Sequence, residues 1–77
     1  MKTLVLYTKA GCHLCENAKA VILGVRRSVA FELQEVDIAR DEDLFDLYKN
    51  DIPVVTIDGR QAFKHRVDAA ALKEKLA

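Results

Sequence analysis

The amino-acid sequence predicts an α/β fold in the order β-α-β-α-β-β-α, a mixed four-stranded sheet with helices on both faces. Three observations carry that expectation. A continuous apolar run, Leu4-Val5-Leu6-Tyr7, leads into apolar residues at helical spacing. Asp58-Gly59, a dipeptide that readily takes the positive backbone angles of a tight hairpin, separates two short strand-like segments. Pro53 stops the helix before it from running into the first of those segments.

The first run suits a central strand covered on both faces, because no polar residue interrupts it. Thr8-Lys9-Ala10-Gly11 then turns the chain, and Gly11 gives the backbone room for a tight approach to the helix. From about residue 12 to 27, Leu14, Ala18, Val21, Ile22 and Val25 recur at helical spacing, and Arg26 and Arg27 stand where a helix C-terminus favours cations. Residues 31–36 read as a second strand, where Glu32, Gln34 and Glu35 break the alternation and place it at a sheet edge. Asp41-Glu42-Asp43 sets acid at the start of a short helix whose Leu44, Leu47 and Tyr48 share a face, and Lys49-Asn50 suits its end. Residues 53–57 and 60–63 are the hairpin strands, and Asp68 caps a last helix that turns Leu72 and Leu76 inward. A right-handed crossover makes the first two strands parallel neighbours, while the hairpin adds antiparallel strands on the other side.

No linker, repeat or low-complexity tract divides the 77 residues, so residues 1–77 are read as a single domain. A domain of that size buries only roughly 60% of the surface its unfolded chain exposes, and the core must be small. With 51% hydrophobic and 31% charged residues, the balance is globular rather than disordered. Twelve cationic and 12 anionic side chains cancel, which gives no global field toward nucleic acid or an anionic membrane. Acidic residues crowd the middle of the chain, while Arg60, Lys64, Arg66, Lys73 and Lys75 make its last part basic without interleaved aromatics. No apolar run approaches the roughly 20 residues of a membrane span, and residues 2–7 are too short for a signal peptide. The expectation is a soluble, cytoplasmic monomer with no nucleic-acid or membrane partner.

Cys12-His13-Leu14-Cys15 holds both cysteines, one helical turn apart and directly after a strand. That arrangement reads as a redox dithiol at the head of a helix. Unpaired N–H groups and the positive end of the helix dipole favour a sulfur placed there as thiolate, the form that attacks disulfides. Two cysteines this close cannot staple distant segments, which argues for chemistry over a structural bridge. His13 either promotes the Cys12 thiolate as an imidazolium or is a solvent-exposed spectator. Cys12, His13 and Cys15 are metal-ligand types, but a closed tetrahedral site needs His65 or another chain, and no metal residue is assigned. Covalent haem attachment is excluded, since its histidine follows the second cysteine and Glu16 stands there. Lys9 is either an anion partner beside the dithiol or a solvated loop lysine. Tyr7 reads as core, and His65 and Arg66 read as a surface turn rather than as groove residues.

Tyr7-Thr8-Lys9, the Cys12-to-Cys15 motif, Ile52-Pro53-Val54 and Asp58-Gly59, in that order over the whole chain, resemble glutaredoxins and the wider thioredoxin superfamily. More narrowly, residues 33–38, residues 48–54 and Gly59 followed by His65-Arg66-Val67 resemble a family of small glutaredoxin-like proteins. The resemblance implies a thioredoxin/glutaredoxin-like fold and a thiol-disulfide oxidoreductase with Cys12 as exposed nucleophile and Cys15 as resolving thiol. It also implies that Pro53 is a cis-proline facing them, a form that lies roughly 0.5 to 1 kcal/mol above trans and lets Ile52 hydrogen-bond an extended substrate. By the same resemblance Lys9 pairs with a glycyl carboxylate, and Asp68 stands at a helix start in the substrate-binding set.

No bound cofactor is implied; glutathione enters as a co-substrate and disulfide-containing proteins as partners. The chain departs from glutaredoxins at Lys64-His65-Arg66-Val67-Asp68, where they carry a Gly-Gly pair followed by acids that hold glutathione's γ-glutamyl end. Arg66-Val67-Asp68 is similar to the Arg-x-Asp of small electron donors reduced by thioredoxin reductase, so the electron donor is open between glutathione and thioredoxin reductase. Two other readings of the same thiolates stay open: a metal or iron-sulfur carrier, and a non-catalytic adaptor.

Overall fold

In the computed structural model, which describes residues 1–77, strand β1 (Thr3–Thr8) lies inside the sheet. It pairs parallel with β2 (Glu32–Asp37) and antiparallel with β3 (Val54–Ile57), and β4 (Arg60–Lys64) closes the far side, giving the order β2-β1-β3-β4. The charged strand β2 is at an edge, where its polar side chains reach water without breaking a core face. It starts one residue later than the alternation suggested, because Phe31 is drawn into the core beneath it.

Alternation along β1 sends Leu4 and Leu6 to one face, where both are buried. There they meet Val55 and Ile57 of β3, Ala18, Ile22 and Val25 of helix α1 (His13–Arg26), and Leu72 and Leu76 of helix α3 (Ala69–Leu76). Each such Leu, Ile or Val side chain, taken from water, contributes roughly 1.5–3 kcal/mol. Tyr7 points the other way, and its ring lies 4.7 Å from that of Tyr48 in helix α2 (Glu42–Tyr48), tilted by 39°. Helices thus cover both faces.

Two local features differ from the sequence expectation. On α2, Phe45 rather than Leu47 joins Leu44 and Tyr48 on the inner side, and Leu47 is 63% exposed. With Tyr48 fixed against Tyr7, its helical neighbours are residues 44 and 45, whereas residue 47 is rotated about 100° away. Between β2 and α2 a short 3-10 turn, Ile38–Arg40, buries Ile38 and is capped by Asp37 Oδ1, which accepts from Ala39 N at 2.9 Å. Asp41 then caps α2, accepting from the amides of Asp43 at 2.9 Å and Leu44 at 3.1 Å.

The hairpin turns on Asp58 (φ 50°) and Gly59 (φ 84°), the positive pair a tight two-residue loop requires. Asp58 also ties the turn to β1, since its Oδ1 accepts from Thr3 N at 2.9 Å. The Ile52–Pro53 bond is cis, and the Pro53 carbonyl accepts from His65 N at 2.8 Å. No helix is long and apolar enough to cross a membrane.

Candidate redox site

Strand β1 delivers the chain to Thr8, and the loop of residues 9–11 reverses it, with Gly11 at φ 80°. Cys12 follows in extended conformation (φ −92°, ψ 109°) as the N-cap of α1. Its amide donates to Lys9 O at 3.3 Å and its carbonyl accepts the Glu16 amide at 3.1 Å. Its sulfur takes the place of the usual capping oxygen: Sγ accepts the Cys15 amide at 3.3 Å. Cys12 therefore sits just outside the helix while Cys15 is inside the first turn.

That offset gives the two thiols different surroundings. Cys12 is half-buried, Cys15 is only 3% exposed, and both are free. Burial pushes the Cys15 thiol up from its ordinary pKa, and the hydrogen bond and negative charge of Cys12 add to that; the Thr8 hydroxyl and the Lys9 backbone act in the opposite direction.

Two grooves flank the pair. One, of about 320 Å³, includes Thr8, Lys9, Cys12 and Cys15 in its wall and is otherwise charged, with Glu16, Glu35 and Asp37 beside Lys19. Lys19 Nζ is held by Glu35 Oε2 at 2.9 Å. The other, of about 360 Å³, runs between the N-terminal half of α1 and the segment after β4, where His65, Arg66 and Val67 face Leu14 and Val21. His65 and Arg66, read from sequence as a plain surface turn, thus line a groove.

The residues expected at the site separate into two groups. Lys9, Cys12 and Cys15 come together around the charged groove, and the Lys9 ammonium lies 5.4 Å over the Phe45 ring. Ile52, Pro53 and Asp68 line neither groove beside the dithiol. Ile52 N donates to Tyr48 O at 3.1 Å, which leaves its carbonyl as the backbone group without a partner in the chain. Asp68 Oδ2 accepts from Ala71 N at 2.9 Å as the cap of α3. His13 is 95% exposed with Nδ1 3.8 Å from a Glu16 carboxylate oxygen, and it lines neither groove. No three His, Cys, Asp or Glu side chains are grouped to hold a metal ion.

Sequence reasoning gave Thr8 no role at the site; only its place at the end of a strand leading to the dithiol hinted at one. Residues 3–77, which carry this thiol pair, match a known family model, Glutaredoxin-like domain (DUF836).

The chain belongs to this glutaredoxin-like family.

A curated relative from Dictyostelium discoideum, the glutaredoxin-like protein YDR286C homolog, is 38% identical over 68 residues, which cover 80% of this chain and 63% of that protein. The chain thus spans less than two thirds of that relative's length. Among solved structures, protein Ne2328 from Nitrosomonas europaea superposes with a TM-score of 0.85 at 28% identity, over 99% of this chain and 92% of that one. An X. campestris protein gives 0.76 at 34% identity, over 95% and 93%. A Halobacterium salinarum thioredoxin gives 0.73 at 19% identity, covering 97% of this chain and 71% of its own, a likeness of fold. The glutaredoxin-like domain is therefore a thioredoxin fold, and its Cys12–Cys15 pair supports a thiol redox role.

Proposed function

We propose that this glutaredoxin-like domain is a thiol-disulfide oxidoreductase in which Cys12 attacks and Cys15 resolves. The observation that carries the reading is the asymmetry of the pair: a half-buried cysteine whose sulfur caps the helix, hydrogen-bonded to the amide of a second, buried cysteine. Cys12, as thiolate, attacks one sulfur of a substrate disulfide, forms a mixed disulfide and expels the other sulfur as a thiolate. Cys15 then gives up its proton and attacks the Cys12 sulfur. The second substrate thiolate leaves, an internal disulfide remains, and two electrons have passed to the substrate.

The raised Cys15 pKa fits that order. While Cys12 is free, burial and the neighbouring sulfur hold Cys15 as a thiol, so it does not compete for substrate. Once Cys12 is in a mixed disulfide its charge is gone, and the Thr8 hydroxyl and Lys9 backbone favour the Cys15 thiolate when resolution needs it.

The cycle closes when an external thiol returns two electrons, and we propose glutathione or thioredoxin reductase as the source. Turnover of a model disulfide, measured with each reductant in turn, tests the reading. Wild-type protein is expected to turn over with at least one of them and Cys12→Ser with neither. Equal activity of the Cys12 variant would remove the assignment.

A further inference from the structure

The two grooves beside the dithiol differ in charge. The one behind Cys15 carries three carboxylates against two lysines, Lys9 and Lys19, and Lys19 is already paired to Glu35. The one along α1 carries His65 and Arg66 and no acid in its wall. Arg66 makes no ion pair within the chain; Asp68, two residues on, caps Ala71 N, and Asp51 lies 3.8 Å from His65 Nε2. A large apolar side chain, Leu14, stands 41% exposed between the two cysteines and forms the groove's near wall, with Val21 and Val67 beyond it.

The backbone that presents Arg66 is held in an unusual form. His65 sits at φ 69°, where side chains other than glycine are disfavoured, and Arg66 N donates to Lys64 O at 2.8 Å across it, a γ-turn. His65 N is fixed by two carbonyls, Pro53 O at 2.8 Å and Asp51 O at 3.2 Å. Such conformations persist only where the surroundings over-determine them, and here they set Arg66 in the wall of the groove that Leu14 shares.

We propose that this groove is the substrate-docking surface and that its occupant is an acidic polypeptide segment next to the reactive disulfide, with an apolar side chain on Leu14 and Val67 and a carboxylate on Arg66. This inference rests on the oxidoreductase reading and adds the substrate class to it. Charge decides the orientation. An acidic segment is repelled from the carboxylate-lined groove behind Cys15 and drawn to the cationic one, so the peptide lies along α1.

Two peptide disulfides test it, identical except that Asp-Leu or Lys-Leu flanks the cysteine. The acidic peptide is expected to show a kcat/KM about tenfold higher, falling with added salt. Arg66→Glu is expected to erase or invert the preference. Equal kcat/KM for both peptides in the wild type overturns the docking proposal while leaving the oxidoreductase reading in place. If neither peptide reacts, the oxidoreductase reading fails. Titration with the acidic peptide carrying serine for cysteine then decides the groove separately, through NMR shifts at Leu14 and Val67 that Arg66→Glu abolishes; no shifts overturn it.

Discussion

The Cys15 amide donates to Cys12 Sγ at 3.3 Å, so each cysteine defines the other's position: one caps the helix, the other supplies the N–H that is capped. The hydrogen bond joins residues three apart, the ordinary reach of an N-cap, and leaves Cys12 facing outward while Cys15 is drawn into the fold.

Differential alkylation follows from that offset. Under native conditions iodoacetamide is expected to modify Cys12 at least about tenfold faster than Cys15, since only an accessible thiol reacts. Mass spectrometry of partially modified protein, with unfolded protein as the equal-reactivity control, measures the ratio.

The fold was largely legible in the sequence, and the site only in part. Binary pattern and punctuation carried β1, α1 and the Asp58-Gly59 hairpin, because an apolar run, a helical stripe and a two-residue turn are local signals. Leu47 was misplaced because α2 is under two turns long, and only the stacking of Tyr48 on Tyr7 fixes its rotation. The 3-10 turn at Ile38–Arg40 is set by Asp37 capping and by burial of Ile38, neither of which has a periodic signature. The cysteine pair announces itself by spacing, whereas Thr8 meets Cys15 only through the turn of residues 9–11, and the groove at His65 and Arg66 arises from segments distant in sequence that the fold brings together.

Stability of the reduced protein should fall at alkaline pH. The Cys15 pKa is raised in the fold, so between the ordinary thiol value and the folded one the unfolded chain binds fewer protons than the native chain. Stability present below that window is lost as pH rises through it, by up to about 1.4 kcal/mol per pH unit for one proton. Tyr48, raised by burial and by Tyr7, adds to the loss in the tyrosine range. Urea midpoints across the alkaline range should show the slope, reduced in Cys15→Ser and again in Tyr48→Phe.

Thr8→Val removes the hydroxyl that favours the Cys15 thiolate. With less of Cys15 as thiolate when resolution needs it, release of substrate from the mixed disulfide should slow by roughly severalfold. Stopped reactions resolved by mass read that step apart from the first attack, which should change little.

Asp68→Ala should cost about 1 kcal/mol by uncapping α3 and lower the midpoint of thermal unfolding by about 4–8 °C. Asp68→Asn keeps an accepting oxygen and should retain most of that stability. Circular dichroism melts compare the two.

The mixed disulfide in Cys15→Ser protein tests the division of labour between the cysteines most directly. With a model disulfide substrate, intact mass and peptide mapping should show one substrate moiety bound covalently at Cys12 and persisting, while wild-type protein passes on to the internal disulfide. An equally fast adduct on Cys15 in Cys12→Ser protein, or no adduct in either variant, would contradict the account.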